Sequence, residues 1–289
     1  MTSLGAIVLP SVPPERFREV VEAAEQAGLP ELWLWEDCFD AGALTLASAA
    51  LAWTQSLRVG VGILPTPLRA VALTAMELSG LARLHPGRLG VGVGHGVQDW
   101  MGQAGVRASS PVTLLREYTS ALRELLAGRE VTTAGDYVRL DGVCLGWPPD
   151  PVPAVLAGAT GPRTMRVTGE VADGTVLAAG ITPDDVPRQR ALVDEGRASA
   201  GRPGHHQVVA YVMAALGEDA AARLEAEQRS WGLEPLTGMG LAGSPAAVAD
   251  GVRRWFDAGA DTVVLQPMKG DDPIEYVRLV GSAVRPLLG

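Results

Sequence analysis

An eight-stranded α/β barrel is the fold this 289-residue sequence predicts, and three observations carry the prediction. Short β-prone runs alternate with segments of helical periodicity eight times along the chain. Eight alternations in this length suit a closed (β/α)8 TIM barrel better than an open doubly wound sheet, which usually needs fewer strands. The runs themselves, residues 89–93 above all, lack clean alternation of apolar and polar side chains, as strands buried on both faces of a parallel sheet do. One barrel domain over residues 1–289 is the expectation.

Each element follows from local signals. Residues 4–9 form an apolar run closed by Pro10, and the helical period of 14–27 stops at Gly28. A second strand, 31–35, ends abruptly in Glu36-Asp37-Cys38 before a helix over 43–54. A third, 58–64, is broken by Pro65 and Pro67, and its helix, 69–84, is stopped by His85-Pro86-Gly87. The fourth lies in the stretch from Arg88 to Asp99, where glycines 90, 92, 94 and 96 remove side chains at places something flat or another backbone must approach. After a loop over 102–110, Ser110 is expected to cap a helix that begins at Pro111 and runs to about 127. Residues 130–145 break the rhythm with a small hairpin turning at Gly135-Asp136, an insertion after the fourth βα unit. Strands at 153–158, 175–179 and 207–216 then alternate with helices at 162–171, 184–200 and 218–229. A glycine-rich loop, 231–242, precedes a helix capped by Ser244-Pro245, an eighth strand at 262–265 and a last helix over 273–288.

Composition narrows the partners. A formal net charge of -9 argues against a nucleic-acid surface, and no apolar run approaches the ~18 residues of a membrane span. The first residues lack the basic segment and apolar core of a signal peptide, so a cytoplasmic protein is expected. Cys38 and Cys144 have neither zinc-site nor disulfide spacing, and no metal-ligand pattern emerges. Small molecules are the expected partners.

In such barrels ligands sit at the carboxyl ends of the strands. Collecting those ends gathers Pro10 to Ser11, Glu36 to Phe39, Gly62 to Thr66, Gly94 to Asp99, Ala157 to Arg163, Gly180 to Thr182 and Gln266 to Lys269 around one mouth. In Ala159-Thr160-Gly161-Pro162-Arg163 a strand passes through small residues into a helix, where free backbone N-H groups and the helix dipole suit a phosphate; an ordinary tight turn is the plain alternative. His95 titrates near neutrality and suits proton transfer, against a purely structural histidine. Asp37 either accepts a proton or caps the next helix, and Cys38 has nothing cationic beside it to stabilise a thiolate. Trp33, Trp35 and Trp100 line a pocket for a flat ring or belong to the core.

Leu-Arg-Val-Gly-Val-Gly-Ile-Leu-Pro at 57–65, Pro-Gly-Arg-Leu-Gly-Val-Gly-Val-Gly at 86–94, Ala-Gly-Ala-Thr-Gly-Pro-Arg at 157–163, Ala-Asp-Gly at 172–174 and Ala-Gly-Ala-Asp-Thr-Val-Val at 258–264 together resemble the bacterial luciferase-like flavin oxidoreductases (luciferase-like monooxygenase superfamily). The likeness is greatest to the deazaflavin branch that uses coenzyme F420 and includes methylene-tetrahydromethanopterin reductase and sugar-phosphate dehydrogenases. It implies a luciferase-like barrel with a non-proline cis peptide at Gly62-Ile63, followed by Leu64, against the middle of the flavin ring, with Gly94 and His95 adjoining. It also implies a cofactor phosphate on the turn Ala159, Thr160, Gly161 and Pro162, next to Arg163 of the anion site read above, and a homodimer through the early helices. Two positions depart from the sugar-phosphate and alcohol dehydrogenases of this branch: Asp37-Cys38 stands where they tend to have an Asp-His pair, and His95 where they tend to have a glutamate. Both count against sugar-phosphate oxidation and leave His95, with Asp37, as the acid-base candidates. The leading expectation is F420-dependent hydride transfer to or from a small organic substrate. The alternatives are an FMN-dependent monooxygenase and a non-catalytic flavin-binding subunit. A cofactor-free aldolase is disfavoured, because the sole lysine, Lys269, is poorly placed for a Schiff base.

Overall fold

The structure, a computed structural model, describes residues 2–289. Its strands are β1 (Ser3–Val8), β2 (Glu31–Leu34), β3 (Arg58–Pro65), β4 (Leu89–Gly94), β5 (Val131–Ala134), β6 (Arg139–Val143), β7 (Val155–Ala159), β8 (Gly174–Leu177), β9 (Gln207–Leu216), β10 (Gly240–Gly243) and β11 (Thr262–Gln266). The helices are α1 (Pro14–Gln26), α2 (Ala43–Trp53), α3 (Val71–Leu84), α4 (Gln98–Gln103), α5 (Pro111–Leu126), α6 (Pro162–Val171), α7 (Val186–Ser199), α8 (Ala220–Ser230), α9 (Pro245–Asp257) and α10 (Pro273–Leu279). Eight strands close a parallel barrel in the order β1, β2, β3, β4, β7, β8, β9, β11, with β11 returning to β1. The expected (β/α)8 barrel is therefore what forms. The antiparallel pair β5–β6 is the expected hairpin after the fourth unit.

Two apolar layers hold the barrel. Outside, Val59, Val61, Val91 and Val93 pack with helix residues such as Leu51, Leu78, Leu115 and Leu122. Inside, Ile7, Trp33, Leu156, Val176, Val209, Tyr211 and Val264 fill the lumen. The glycines of β3 and β4 are explained here, since a Cβ at Gly60 would overlap the Trp33 indole and one at Gly90 would meet both that ring and Gly60. Trp33 takes the space that side chains on those two strands would occupy. Its indole N-H donates to Glu31 at 2.9 Å, and Glu31 is paired with Arg58.

Strand β3 slips register between Val61 and Leu64, so Gly62 and Ile63 form a bulge opposite β4. The Gly62-Ile63 peptide is cis, as are Cys38-Phe39 and Asp150-Pro151. The bulge turns Ile63 toward β4 and β7, where Cβ atoms at Gly92, Gly94 or Gly158 would press on its side chain.

At the opposite end of the barrel two aspartates tie strand starts together. Asp173 accepts from the Val155 amide, donates its own N-H to the Val155 carbonyl and accepts from Gln207 through its carbonyl. Asp261 repeats the pattern with Val208 and Ser3. The Ala-Asp-Gly and Ala-Gly-Ala-Asp motifs are thus joints between strands.

Four local expectations are corrected. The supposed loop 231–242 contains most of β10, which pairs with the second half of β9 beyond the reach of β8 and satisfies main-chain groups there. The stretch after β4 winds into α4, anchored by the fully buried Met101. Ser110 does not cap α5 through its side chain; its hydroxyl pairs with that of Thr113 at 2.7 Å. The last helix tightens and loosens, continuing from α10 as a π turn over Val280–Val284 and a 3-10 turn over Arg285–Leu287. Ser244 does cap α9, accepting from the Ala247 amide.

Candidate active site

A cavity of about 540 Å³ opens at the carboxyl ends of the barrel strands. One wall is built from Gly62 and Ile63 of β3, Gly94 and His95 at the end of β4, and Gly158, Ala159 and Thr160 of β7 and its turn. Facing it are Trp35 after β2, Tyr211 of β9 and Gln266 of β11. Trp100 of α4 and Trp231 beyond α8 border the mouth. Trp35 stands 6.1 Å from both the Tyr211 and Trp231 rings, so the far wall is aromatic. Among the described residues no arginine or lysine lines the cavity.

The bulged wall is fixed from across the barrel. The Tyr211 hydroxyl, fully buried, donates to the Gly62 carbonyl at 2.9 Å, and a side chain at Gly62 would displace it. Burial raises the Tyr211 phenol well above its ordinary value, and the Glu31 charge adds to this, so it stays a donor.

Of the two acid-base candidates, His95 is half-buried and its Nε2 edge has no hydrogen-bond partner in the protein. Burial pushes its pKa below the ordinary 6.5, which keeps the imidazole neutral at pH 7. Asp37 moves the other way: burial, with help from the Asp40 charge, pushes its carboxyl up to about 6. The two groups thus lose the separation they have in water. Cys38 remains a thiol, because burial and the charges of Glu36 and Asp37 raise its pKa. The helix-capping role open to Asp37 falls to its neighbour Glu36, which accepts from the Ala43 amide at 2.9 Å and from Arg69 at 2.6 Å.

The remaining sequence candidates separate by position. Gly62, Ile63, Gly94, Ala159 and Thr160 come together on the cavity wall with His95. Leu64 points away, buried in the layer between strands and helices. Gly161, Pro162 and Arg163 continue from Thr160 into α6, whose N-terminus no side chain caps. Trp33 belongs to the lumen core, whereas Trp35 and Trp100 line the cavity. Gln266, gathered to the mouth by strand direction, lines the cavity, whereas Tyr211 and Trp231 are cavity residues that sequence reasoning does not reach. Among the described residues no group of three or more His, Cys, Asp or Glu is arranged to hold a metal ion, and no helix is long and apolar enough to cross a membrane.

A family profile described as luciferase-like monooxygenase matches residues 2–237. The 5,10-methylenetetrahydromethanopterin reductase of Methanolobus tindarius is 29% identical over 227 residues, covering 78% of this chain and 69% of that protein. A putative coenzyme F420-dependent oxidoreductase of Mycobacterium tuberculosis is 32% identical over 213 residues, covering 66% of this chain and 58% of that protein. Among solved structures, the coenzyme F420-dependent tetrahydromethanopterin reductase of Methanopyrus kandleri superposes with a TM-score of 0.84 at 22% identity, covering 100% of this chain and 99% of that one. At that identity the last likeness is one of fold.

Proposed function

The chain belongs to the luciferase-like monooxygenase family, and on that premise we propose that it is an F420-dependent oxidoreductase moving a hydride between the deazaflavin and a small organic substrate. The observation that carries the reading is the wall of the cavity. Gly94 and Gly158 leave no side chain beside the inward-turned Ile63, which makes a flat slot, and the slot runs out at Thr160 onto the uncapped start of α6. These residues fit a planar tricycle carrying a phosphate. Gly62, Ile63, Gly94, His95 and Ala159 would hold the ring; Thr160, the α6 amides and Arg163 would hold the phosphate. When bound, F420 supplies a two-electron hydride carrier. The protein orients the partners in a water-poor cavity, and neutral His95 takes or returns the proton at its Nε2 edge, with Asp37 as second titrating group. Kinship with the reductase and the F420-dependent oxidoreductase above supports the deazaflavin.

Titrating the protein with F420 and FMN side by side, followed by cofactor fluorescence, tests this directly. F420 is expected to bind more tightly; a preference for FMN would move the reading to oxygen chemistry, and binding of neither would remove both. Thr160→Asp places a carboxylate where the phosphate is expected and should weaken F420 by about 10- to 100-fold through like-charge repulsion. Unchanged affinity would put the phosphate elsewhere.

We further propose a homodimer through the early helices. α2 carries no charged residue over its whole length, and its neighbour α3 exposes Leu73, Met76 and Leu84, the last two 63% and 74% accessible. Trp147 stands exposed beside Arg83 of the same helix. Light scattering should find two chains per particle and Met76→Glu should yield monomers. A monomeric parent protein would refute the interface.

A further inference from the structure

Among the described residues Gln266 is the one fully buried side chain of the cavity, 0% exposed, whose amide oxygen and nitrogen both lack a hydrogen-bond partner. Burying an amide with neither end paired is unfavourable, so a group in this position is suited to a ligand that satisfies both ends. Its place in the barrel says which ligand. In the closed ring of eight strands β11 lies directly across from β4, and the slot assigned to the cofactor is built on β3, β4 and β7. A ring lying against that wall leaves Gln266 facing it across the cavity, on the side where the reacting partner must sit. The Trp35 indole and the Tyr211 ring belong to the same far side.

The chemistry of the far wall restricts the partner. A carboxamide offers one acceptor and a donor side by side, which a neutral C(=O)-N-H group matches with two parallel hydrogen bonds. A ketone would leave the amide oxygen unpaired. A carboxylate or phosphate would enter a cavity lined by Glu36 and Asp37 and by no arginine or lysine among the described residues, so its charge would be buried without compensation.

Building on the F420 reading, we propose that Gln266 is the substrate-recognition residue and that the substrate class is a neutral, flat molecule bearing an amide or lactam group, sandwiched between the cofactor slot and the Trp35–Tyr211 wall.

Three matched probes test it: benzamide, acetophenone and benzoate, titrated by tryptophan fluorescence into the F420-loaded protein and the apoprotein. Benzamide is expected to bind about tenfold or more tightly than the other two. In Gln266→Leu the preference should vanish through loss of benzamide affinity, with acetophenone and F420 bound as before and the melting temperature not lowered. Three results would overturn the proposal: no benzamide preference in the parent protein, a preference that survives in Gln266→Leu, or a parallel loss of F420 affinity in that variant, which would make Gln266 a cofactor ligand. If the parent protein does not bind F420 at all, the cofactor reading fails, and the apoprotein titration still decides the role of Gln266.

Discussion

His95→Ala is expected to slow the chemical step by about 10²- to 10⁴-fold, the usual contribution of a positioned general acid or base, and to weaken F420 binding far less. His95 follows the last residue of β4, lines the cavity beside the flat slot and has a buried Nε2 atom with no hydrogen-bond partner in the protein. Its lowered pKa then sets the sign of the pH effect. The working neutral imidazole gains a proton as pH falls through a value below 6.5, so the rate should decline on the acid side of that point. Single-turnover kinetics with oxidised F420 and the reduced form of a substrate of the amide series, the direction in which neutral His95 accepts the proton, would read both effects. Because Asp37 titrates at about 6, the assignment needs Asp37→Asn beside His95→Ala: the acid limb should persist in the former and disappear in the latter. A loss confined to cofactor binding in His95→Ala would assign it to the slot alone.

Much of this site was legible because strand direction alone places residues. His95, Asp37 and Thr160 each follow an apolar run, and in a parallel barrel every such end faces one mouth. The glycines of β3 and β4 announced a close approach, but their partners are distant in sequence: Trp33 for Gly60, and Ile63, carried over by the bulge, for Gly94. Nothing local in Tyr211 discloses that its hydroxyl holds the Gly62 carbonyl 149 residues away. Gln266 ends its strand as the others do, yet its meaning lies in having no partner, which only the packed barrel reveals. β10 was missed for a different reason. Gly-Leu-Ala-Gly has no β-branched residue, and it is a strand only because β9 outruns its neighbour.

The same separation between mouth and base explains the second large effect expected, which is on stability. Asp173 sits at the base of the barrel with its carboxylate held by Arg123, Arg202 and the Val155 amide. Removing it leaves two guanidinium groups facing each other and one strand amide unpaired. Breaking a fully buried ion pair costs about 3–5 kcal/mol, and since Asp173 keeps 30% side-chain exposure, roughly 2–3 kcal/mol is expected for Asp173→Ala, or a melting temperature lower by about 5–10 °C. The pH dependence has a definite direction. Burial works to raise this carboxyl, but the hydrogen bonds from Arg123 and Val155 and the charges of Arg123 and Arg202 outweigh it and hold the pKa below 3.8. A carboxylate depressed in the folded state stabilises in full above its unfolded value and ceases to do so as pH falls through the folded one. The gap between parent and variant should therefore be widest at neutral pH and close below about pH 3.8, with Asp173→Asn intermediate because it can still accept from Val155. Thermal melts from pH 3 to 7 would measure this. F420 affinity measured well below the variant's melting point should be unaffected, because the joint that Asp173 makes lies at the end of the barrel away from the cavity. A gap that widened on acidification, or a variant that folded normally but lost the cofactor, would place Asp173 in the site instead of in the scaffold beneath it.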